Sequence, residues 1–345
     1  MAFSKENIRY TLNGILFVAL FSIAAIQISE IPFIKNLAIS PLIIGIVIGM
    51  IYANTLRNQL PSEWAPGIIF SAKQLLRLAI VFYGFRITFQ QIMDVGVAGF
   101  TVSVVMLTST IILGSWAGIK IFKLDRDTSI LTAAGSSICG AAAVLATEPV
   151  LKAEPYKSAI AVGTVVLFGT IAMFLYPMAY KAGMLNMDSA TYGIYVGGTV
   201  HEVAQVVAAG GAIGGVAADD AVIVKMTRVM MIAPVLIILG ILISTLAKKS
   251  GKEAGGVKLV IPWFAVWFVV MSGINSLSII PETVVYEINQ VDTFMLTMAM
   301  TALGMETNAS KFKQAGIKPI LLALMMFVWL IIAGYFVTKW AVAIF

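Results

Sequence analysis

Long blocks of apolar residues, separated by short polar loops, run along almost the whole chain. A helix that crosses a bilayer needs about 20 mostly apolar residues, and the chain supplies many such blocks in succession. The blocks are too long for membrane β-strands and do not alternate between apolar and polar positions. We predict an all-α polytopic membrane protein with about 11 transmembrane helices, at roughly 10–29, 33–54, 67–92, 98–122, 129–150, 158–180, 189–212, 220–245, 259–280, 291–309 and 318–342.

Composition supports this class. The 345 residues are 60% hydrophobic and 12% charged, whereas soluble domains carry about 25% charged residues. We therefore predict a single membrane domain, 1–345. The net charge of +6 is expected in short loops, where it sets topology, and we expect no nucleic-acid partner.

The residue inventory argues against an enzyme. Cys139 is the only cysteine and His201 the only histidine, so an intramolecular disulfide, a cysteine metal cluster and an intramembrane zinc protease motif are excluded. The chain lacks a glycine-rich loop followed by Lys-Ser or Lys-Thr, which disfavours ATP-driven transport. We expect no cofactor apart from a coupling H⁺ or Na⁺.

The charges of the loops predict the orientation. With a cytoplasmic N-terminus, the inner loops would hold Arg57, Lys120, Lys123, Arg126, Lys181, Lys248, Lys249, Lys252, Lys258, Lys311, Lys313 and Lys318. The outer loops would hold Asp94, Asp219, Asp220, Glu282, Glu287 and Asp292, with Lys35, Lys152 and Lys157 as exceptions. This bias follows the positive-inside rule. It predicts an inner-membrane protein with its C-terminus outside.

The chain also contains internal similarity. Residues 75–96 align with 295–316, and the alignment matches Gly84 with Gly304. The two segments would run in opposite directions, so we predict inverted repeats with halves 33–180 and 187–342 and interrupted helices at the midplane. A second similarity relates Gly135-Ser136 to Gly198-Thr199. Those segments would run parallel, so it is either chance or the mark of a re-entrant segment.

The first candidate site is the run Ala134–Ala141 in the fifth predicted span. Its small residues either allow tight helix packing or interrupt the helix. An interruption is tolerated at membrane depth where it lines a cavity, and its free N–H groups favour an anion. On the second interpretation the substrate-binding residues are Ser136, Ser137, Cys139 and Gly140.

The second candidate site is the run Gly197–Gln205 in the seventh predicted span. A charge at the centre of a membrane helix costs about 2.5–3.5 kcal/mol even on lenient scales, so Glu202 needs a partner, a proton or water. On a continuous helix, Gln205 would share a face with His201 and Glu202 would point away. These residues either fasten the bundle or couple transport to an ion. We predict ion coupling by His201, Glu202 and Gln205, and substrate binding by Thr199.

Basic residues inside the spans form a third set: Lys73, Arg77, Arg86, Lys225 and Arg228. Arginine presents a planar fork of donors that suits oxyanions, so we predict that Arg77 and Arg228 bind substrate. The alternatives are snorkelling for Lys73 and Lys225, and a salt bridge from Arg77 to Glu202 or Glu306.

Glu306 lies near the end of the tenth predicted span, and the repeat matches it with Arg86. It is a further candidate for ion coupling. A helix cap that faces a loop is the equally weighted alternative.

The chain resembles the YeiH-like sulfate exporter family over nearly its whole length. The resemblance rests on the runs Pro66–Leu78, Gly84–Arg86, Gly135–Gly140, Thr199–Gly210, Lys225–Val229 and Ala302–Thr307. It implies export of sulfate or an organosulfonate, and kinship with carriers that have crossed, interrupted helices. The chain departs from the family pattern at Ala141–Ala143, where a serine is expected. This puts specificity in question if that hydroxyl contacts the substrate.

Together these observations predict an ion-coupled secondary transporter of a small anion that works by alternating access. A sodium/proton-type cation exchanger of similar architecture is the alternative. A channel would need a ring of like charges, and a sensor would need a soluble output domain. The expected partners are the anion and the lipid bilayer, and a homodimer is one candidate assembly.

Overall fold

The computed structural model describes residues 8–36, 40–56, 61–249, 263–307 and 316–345. Across those residues the chain is helical and has no β-strand. The helices are α1 (Ile8–Ser29), α2 (Pro32–Asn36), α3 (Pro41–Thr55), α4 (Ala65–Phe70), α5 (Leu76–Tyr83), α6 (Phe89–Lys120), α7 (Arg126–Ser137), α8 (Ala141–Leu151), α9 (Pro155–Lys181), α10 (Ser189–Thr199), α11 (Val203–Gly211), α12 (Val216–Met230), α13 (Ile232–Lys249), α14 (Trp263–Ser276), α15 (Glu282–Glu306) and α16 (Ile317–Ile344). A π-helical turn (Ser71–Leu75) joins α4 to α5, and 3₁₀ turns cover Ser62–Trp64 and Gly84–Arg86.

Six helical stretches in the described part of the chain are long and apolar enough to cross a membrane. They are Ile8–Ser29, Ala65–Arg86, Phe89–Lys120, Tyr156–Lys181, Val216–Leu242 and Ile317–Ile344. Shorter apolar helices cover Pro41–Thr55, Ala141–Leu151 and Trp263–Ser276. The prediction of a helical membrane protein is confirmed, whereas about 11 spans and the inverted repeats stay predictions.

Two compact units divide the chain. The first takes its described residues from Met1–Ile92, Gly211–Gly214 and Phe264–Ala309, and the second from Met93–Gly210, Gly215–Trp263 and Ser310–Phe345. Each unit thus draws segments from both predicted halves, 33–180 and 187–342. The assignment of those halves as repeats stays a prediction.

The first unit is built on a close contact between α3 and α15. A Cβ at Gly49 would overlap the backbone of α15, since it would lie 3.0 Å from the Gly304 Cα atom. Ser22 of α1 adds a hydrogen bond of 3.2 Å from its Oγ to Thr301 Oγ1. Small residues let helix backbones approach closely where no hydrophobic effect drives association. The glycines therefore set the spacing of this helix pair.

A buried ion pair in the first unit was missed by sequence reasoning. Arg86 donates to Asp292 Oδ2 from Nε (3.0 Å), to the Asn289 carbonyl from Nη2 (2.8 Å) and to Thr293 Oγ1 from Nη2 (2.7 Å). The Asp292 side chain is fully buried. The placement of Asp292 in an outer loop is therefore wrong, because α15 begins at Glu282, well before the predicted start at 291. Glu282 and Glu287 likewise belong to this helix.

The second unit contains two helical segments that stop and restart. The fifth predicted span, 129–150, is divided into α7 and α8, and the seventh, 189–212, into α10 and α11. Helix α10 packs against α12 and α16, and α7 packs against α9 and α16.

Five of the lysines and arginines that the orientation argument uses lie outside the described residues. They are Arg57, Lys252, Lys258, Lys311 and Lys313.

The α3–α15 contact predicts that Gly49→Ala destabilises the protein. The new methyl group would overlap backbone atoms that cannot move aside. Overpacking of this kind lowers the free energy of unfolding by about 1–3 kcal/mol. We expect a lower midpoint of thermal unfolding in detergent, followed by tryptophan fluorescence.

Gly163→Ala in α9 is the matched control, because a Cβ there meets nothing within 4 Å. It should leave the midpoint unchanged or raise it, since alanine favours helix over glycine by about 1 kcal/mol. Equal midpoints for the two variants would contradict the close contact.

Candidate functional site

The first break separates α7 from α8. Helix α7 ends at Ser137, Ile138 leaves the helical region (φ −110°, ψ −86°), and Gly140 takes φ +76° before α8 begins at Ala141. A positive φ suits glycine because it has no Cβ. Here a Cβ would also overlap the side chain of Glu202. The prediction of an interrupted helix is confirmed at this run.

The second break separates α10 from α11. Helix α10 ends at Thr199, Val200 is extended (φ −70°, ψ 145°), and α11 begins at Val203. His201 and Glu202 thus lie between two helices. The expectation that His201 and Gln205 share one helix face is wrong, because no continuous helix joins them.

The two segments are built alike. Asp125 caps α7 by accepting from the Thr128 N–H (3.1 Å), and Asp188 caps α10 by accepting from the Thr191 N–H (2.7 Å). That backbone bond holds the pKa of the Asp188 carboxyl below its ordinary value. Each cap starts a helix of 11 or 12 residues; α10 ends at the matched Gly198-Thr199 pair and α7 one residue after Gly135-Ser136. The second similarity noted in the sequence thus marks two broken helices.

Lys225 of α12 joins the two breaks. Its side chain is 0% exposed, and its Nζ donates to the carbonyls of Ile138 (2.8 Å), Val200 (2.9 Å) and His201 (2.6 Å). The snorkelling alternative for Lys225 is therefore wrong. Helix interruption frees carbonyls that must be satisfied when they are buried, and this single ammonium group serves both breaks.

Arg228 lies one turn further along α12 and is also 0% exposed. Its Nη1 donates to the Gly198 carbonyl (2.6 Å) and more weakly to the Gly197 carbonyl (3.4 Å), and its Nη2 donates to the Ser137 carbonyl. The C-terminal ends of α7 and α10 thus meet at one guanidinium. A helix C-terminus carries partial negative charge and favours a cation.

Glu202 supplies the negative charge of the site. Its Oε1 accepts from the backbone N–H of Ala141, the first residue of α8, at 3.0 Å. The Glu202 N–H in turn donates to Gln205 Oε1 at 3.0 Å. Glu202 therefore occupies a helix N-terminus, where partial positive charge favours an anion.

Several buried polar atoms at the breaks have no hydrogen-bond partner among the described residues. They are Ser136 Oγ, both ring nitrogens of His201, Gln205 Nε2 and Arg228 Nε. His201 is 1% exposed, and Ser136 and Gln205 are fully buried. Buried polar groups are nearly always paired, so unsatisfied ones call for a ligand or water.

The hydroxyl groups of Ser137 and Thr199 have local partners. Ser137 Oγ donates to the Ala134 carbonyl (3.2 Å) and Thr199 Oγ1 to the Tyr195 carbonyl (2.5 Å). Cys139 lies in the first break and is 5% exposed. The structure therefore brings Ser136, Ser137, Cys139, Gly140, Thr199, His201, Glu202, Gln205 and Arg228 together in one unit.

Arg77 and Glu306 belong to the other unit. Arg77 is exposed and donates to Gln74 Oε1 at 3.5 Å. Arg77 is not buried in its unit, because the inward face of α5 carries Ala79, Ile80 and Tyr83. Glu306 is the half-buried last residue of α15. Their roles as ligands stay predictions.

The site carries an excess of positive charge. Lys225 and Arg228 contribute two formal positive charges, and Glu202 contributes one negative charge. The partial charges of two helix C-termini and two N-termini offset one another. One formal positive charge is left over at the breaks, so the arrangement favours a bound anion.

The fold and this site define the chain as a helical membrane protein with two interrupted helices. The family described as Conserved hypothetical protein 698 matches residues 13–323. Curated relatives include a UPF0324 membrane protein of Pseudomonas putida (52% identical over 330 residues; 96% of this chain and 93% of the relative) and one of Bacteroides thetaiotaomicron (48% identical; 95% and 98%). A third is the UPF0324 inner membrane protein YeiH of Salmonella typhi (49% identical; 96% and 94%).

The chain belongs to this family of membrane proteins. No solved structure matches it. The resemblance to YeiH-like proteins is thereby confirmed, and these names assign no substrate.

The site predicts that Lys225→Met strongly destabilises the protein. The methionine fills the same space but cannot donate to three buried carbonyls, and each buried group left unsatisfied costs about 1–3 kcal/mol. We expect a large drop in the midpoint of thermal unfolding in detergent.

Lys73→Met is the matched control, since Lys73 is an exposed lysine of the π-helical turn. It should unfold like the unmodified protein. A Lys225→Met midpoint equal to that of Lys73→Met would show that the ammonium group does not hold the breaks together.

Proposed function

We propose that this protein is an ion-coupled secondary transporter of a small oxyanion, such as sulfate or an organosulfonate, and not an enzyme. The proposal includes alternating access, a site at the two helix breaks, and an inner-membrane location with the N-terminus in the cytoplasm. The observation that carries it is the pair of buried cations, Lys225 and Arg228, between the ends of two interrupted helices.

The architecture supports transport. Irregular backbone at membrane depth is tolerated where it lines a cavity or is buried in protein, and carriers place their sites at broken helices of this kind. Two such breaks share Lys225 here. A purely structural bundle gains nothing from two interruptions, which expose backbone groups that then need buried charges to satisfy them.

The charges support an anion over a cation. A cation exchanger of this architecture would coordinate its ion with the carbonyls that the breaks release. At these breaks the carbonyls of Ile138, Val200 and His201 already accept from Lys225, and those of Ser137 and Gly198 accept from Arg228. A metal cation would have to displace two buried positive charges.

Donors suited to an oxyanion remain at the site. The Ser136 hydroxyl, the Gln205 amide nitrogen and the His201 ring are buried and unpartnered. Sulfate and sulfonate groups present several acceptor oxygens, which neutral donors and helix N-termini can bind in a region of net positive charge. These three residues are therefore the proposed substrate ligands, with Arg228 acting through its charge.

The proposal predicts saturable uptake of radiolabelled sulfate or taurine into proteoliposomes. An imposed ion gradient should drive accumulation above the equilibrium level, and protein-free liposomes give the background. Absence of flux of either compound, together with collapse of an imposed pH gradient on addition of sodium, would instead support the cation exchanger.

The single cysteine gives an independent test. Cys139 lies in the first break, so a carrier must expose it to solution in part of its cycle, and a bound oxyanion should shield it. We expect slow alkylation of the purified protein by N-ethylmaleimide, slower still in sulfate than in chloride at equal ionic strength. Cys139→Ser gives the blank, and equal rates in the two salts would contradict an anion site here.

A further inference from the structure

Glu202 occupies the N-terminus of α8, where partial positive charge favours an anion. Its Oε1 accepts the Ala141 N–H at the start of α8, an 11-residue helix. The carboxylate also lies against Gly140, where an added Cβ would come within 2.8 Å of Oε1. The chain therefore carries an anion of its own at the N-terminus of the helix that follows the first break.

Two residues beside Glu202 in the chain carry buried polar atoms without a hydrogen-bond partner among the described residues. Gln205 fixes the Glu202 backbone through its Oε1 but leaves its Nε2 unpartnered and fully buried. Gly169 of α9 makes room for this amide, since a Cβ there would overlap it. The neighbouring His201 ring is 1% exposed with both nitrogens unpartnered. Unpartnered buried groups on residues 201 and 205, which flank Glu202 in the chain, are donors that an oxyanion could use.

The charged and titratable groups around Glu202 come from three segments. Lys225 of α12 and Cys139 of the first break interact with it electrostatically. Arg228 of α12 interacts with both of those groups, and His201 of the second break interacts with Lys225 and Arg228. The two fixed cations accommodate one anion easily, whereas two adjacent anions would repel each other.

We propose that Glu202 and the transported anion compete for the N-terminus of α8, so that the anion binds only when Glu202 is protonated. This inference rests on the proposed function and specifies its coupling. A proton from solution adds to the carboxylate, Oε1 releases the Ala141 N–H, and an oxygen of the anion accepts that N–H. When the anion leaves, the carboxyl loses its proton and Oε1 takes the N–H back.

The competition makes the carrier a symporter of one proton with one anion. Glu202 is ionised when the site holds no anion and neutral when the anion is bound. The proton and the anion must therefore bind and leave on the same side of the membrane. Above the pH at which Glu202 titrates, the dissociation constant for the anion should rise about tenfold per pH unit, as linkage of one proton requires.

The test is equilibrium binding of radiolabelled sulfate and taurine to the purified full-length protein between about pH 5 and pH 9. The unmodified protein should show the tenfold rise per unit. Glu202→Gln should bind the same anion with a dissociation constant that does not change with pH. Glu148→Gln, on α8 but remote from the break, should keep the slope of the unmodified protein.

A second measurement needs no variant. Addition of saturating sulfate to the weakly buffered protein should take up one proton per anion bound. No proton uptake, a pH-independent dissociation constant in the unmodified protein, or an unchanged slope in Glu202→Gln would each overturn the competition and leave an anion carrier standing. Lack of saturable binding of both compounds at every pH would overturn the proposed function itself.

Discussion

The second unit of this protein depends on the bonds from Lys225 and Arg228 to the carbonyls that two broken helices expose. A helix that stops inside a packed bundle leaves main-chain acceptors without donors, and water is scarce there. Two adjacent cations on one turn of α12 satisfy those acceptors and oppose the negative ends of α7 and α10. Without these two side chains the freed carbonyls would be buried without donors, and the broken helices would be destabilised.

The same bonds determine which chemistry is left for a ligand. Carbonyl oxygens of both breaks already accept from Lys225 and Arg228, while the starts of α8 and α11 and the side chains of Ser136 and Gln205 supply donors. One of those starts is held by Glu202. A positively charged site that contains its own carboxylate can exchange that carboxylate for a bound oxyanion. Protonation of Glu202 determines which of the two occupies the site.

The sequence predicted the helices of this fold better than the breaks within them and the side-chain contacts between them. The density of glycine and serine around Gly140 made the first break one of two interpretations of that run. The second break was missed because none of Val200, His201 and Glu202 is glycine or proline, although an Asp-x-x-Thr cap starts the helix of 11 or 12 residues before each break. The pairing of Arg86 with Asp292 joins residues 206 positions apart, and local patterns carry no signal at that distance. Lys225 and Arg228 were recognised as basic, but their acceptors exist only because the helices break.

Location of the bound anion tests the central claim most directly. An experimental structure with selenate, which mimics sulfate and scatters anomalously, would show where the oxyanion lies. We predict a selenium peak at the two breaks, within hydrogen-bond reach of the α8 N-terminus, with the Glu202 carboxylate moved off the Ala141 N–H. A peak elsewhere, or a sodium ion coordinated by the carbonyls of Ile138 and Val200 with Lys225 displaced, would contradict the account.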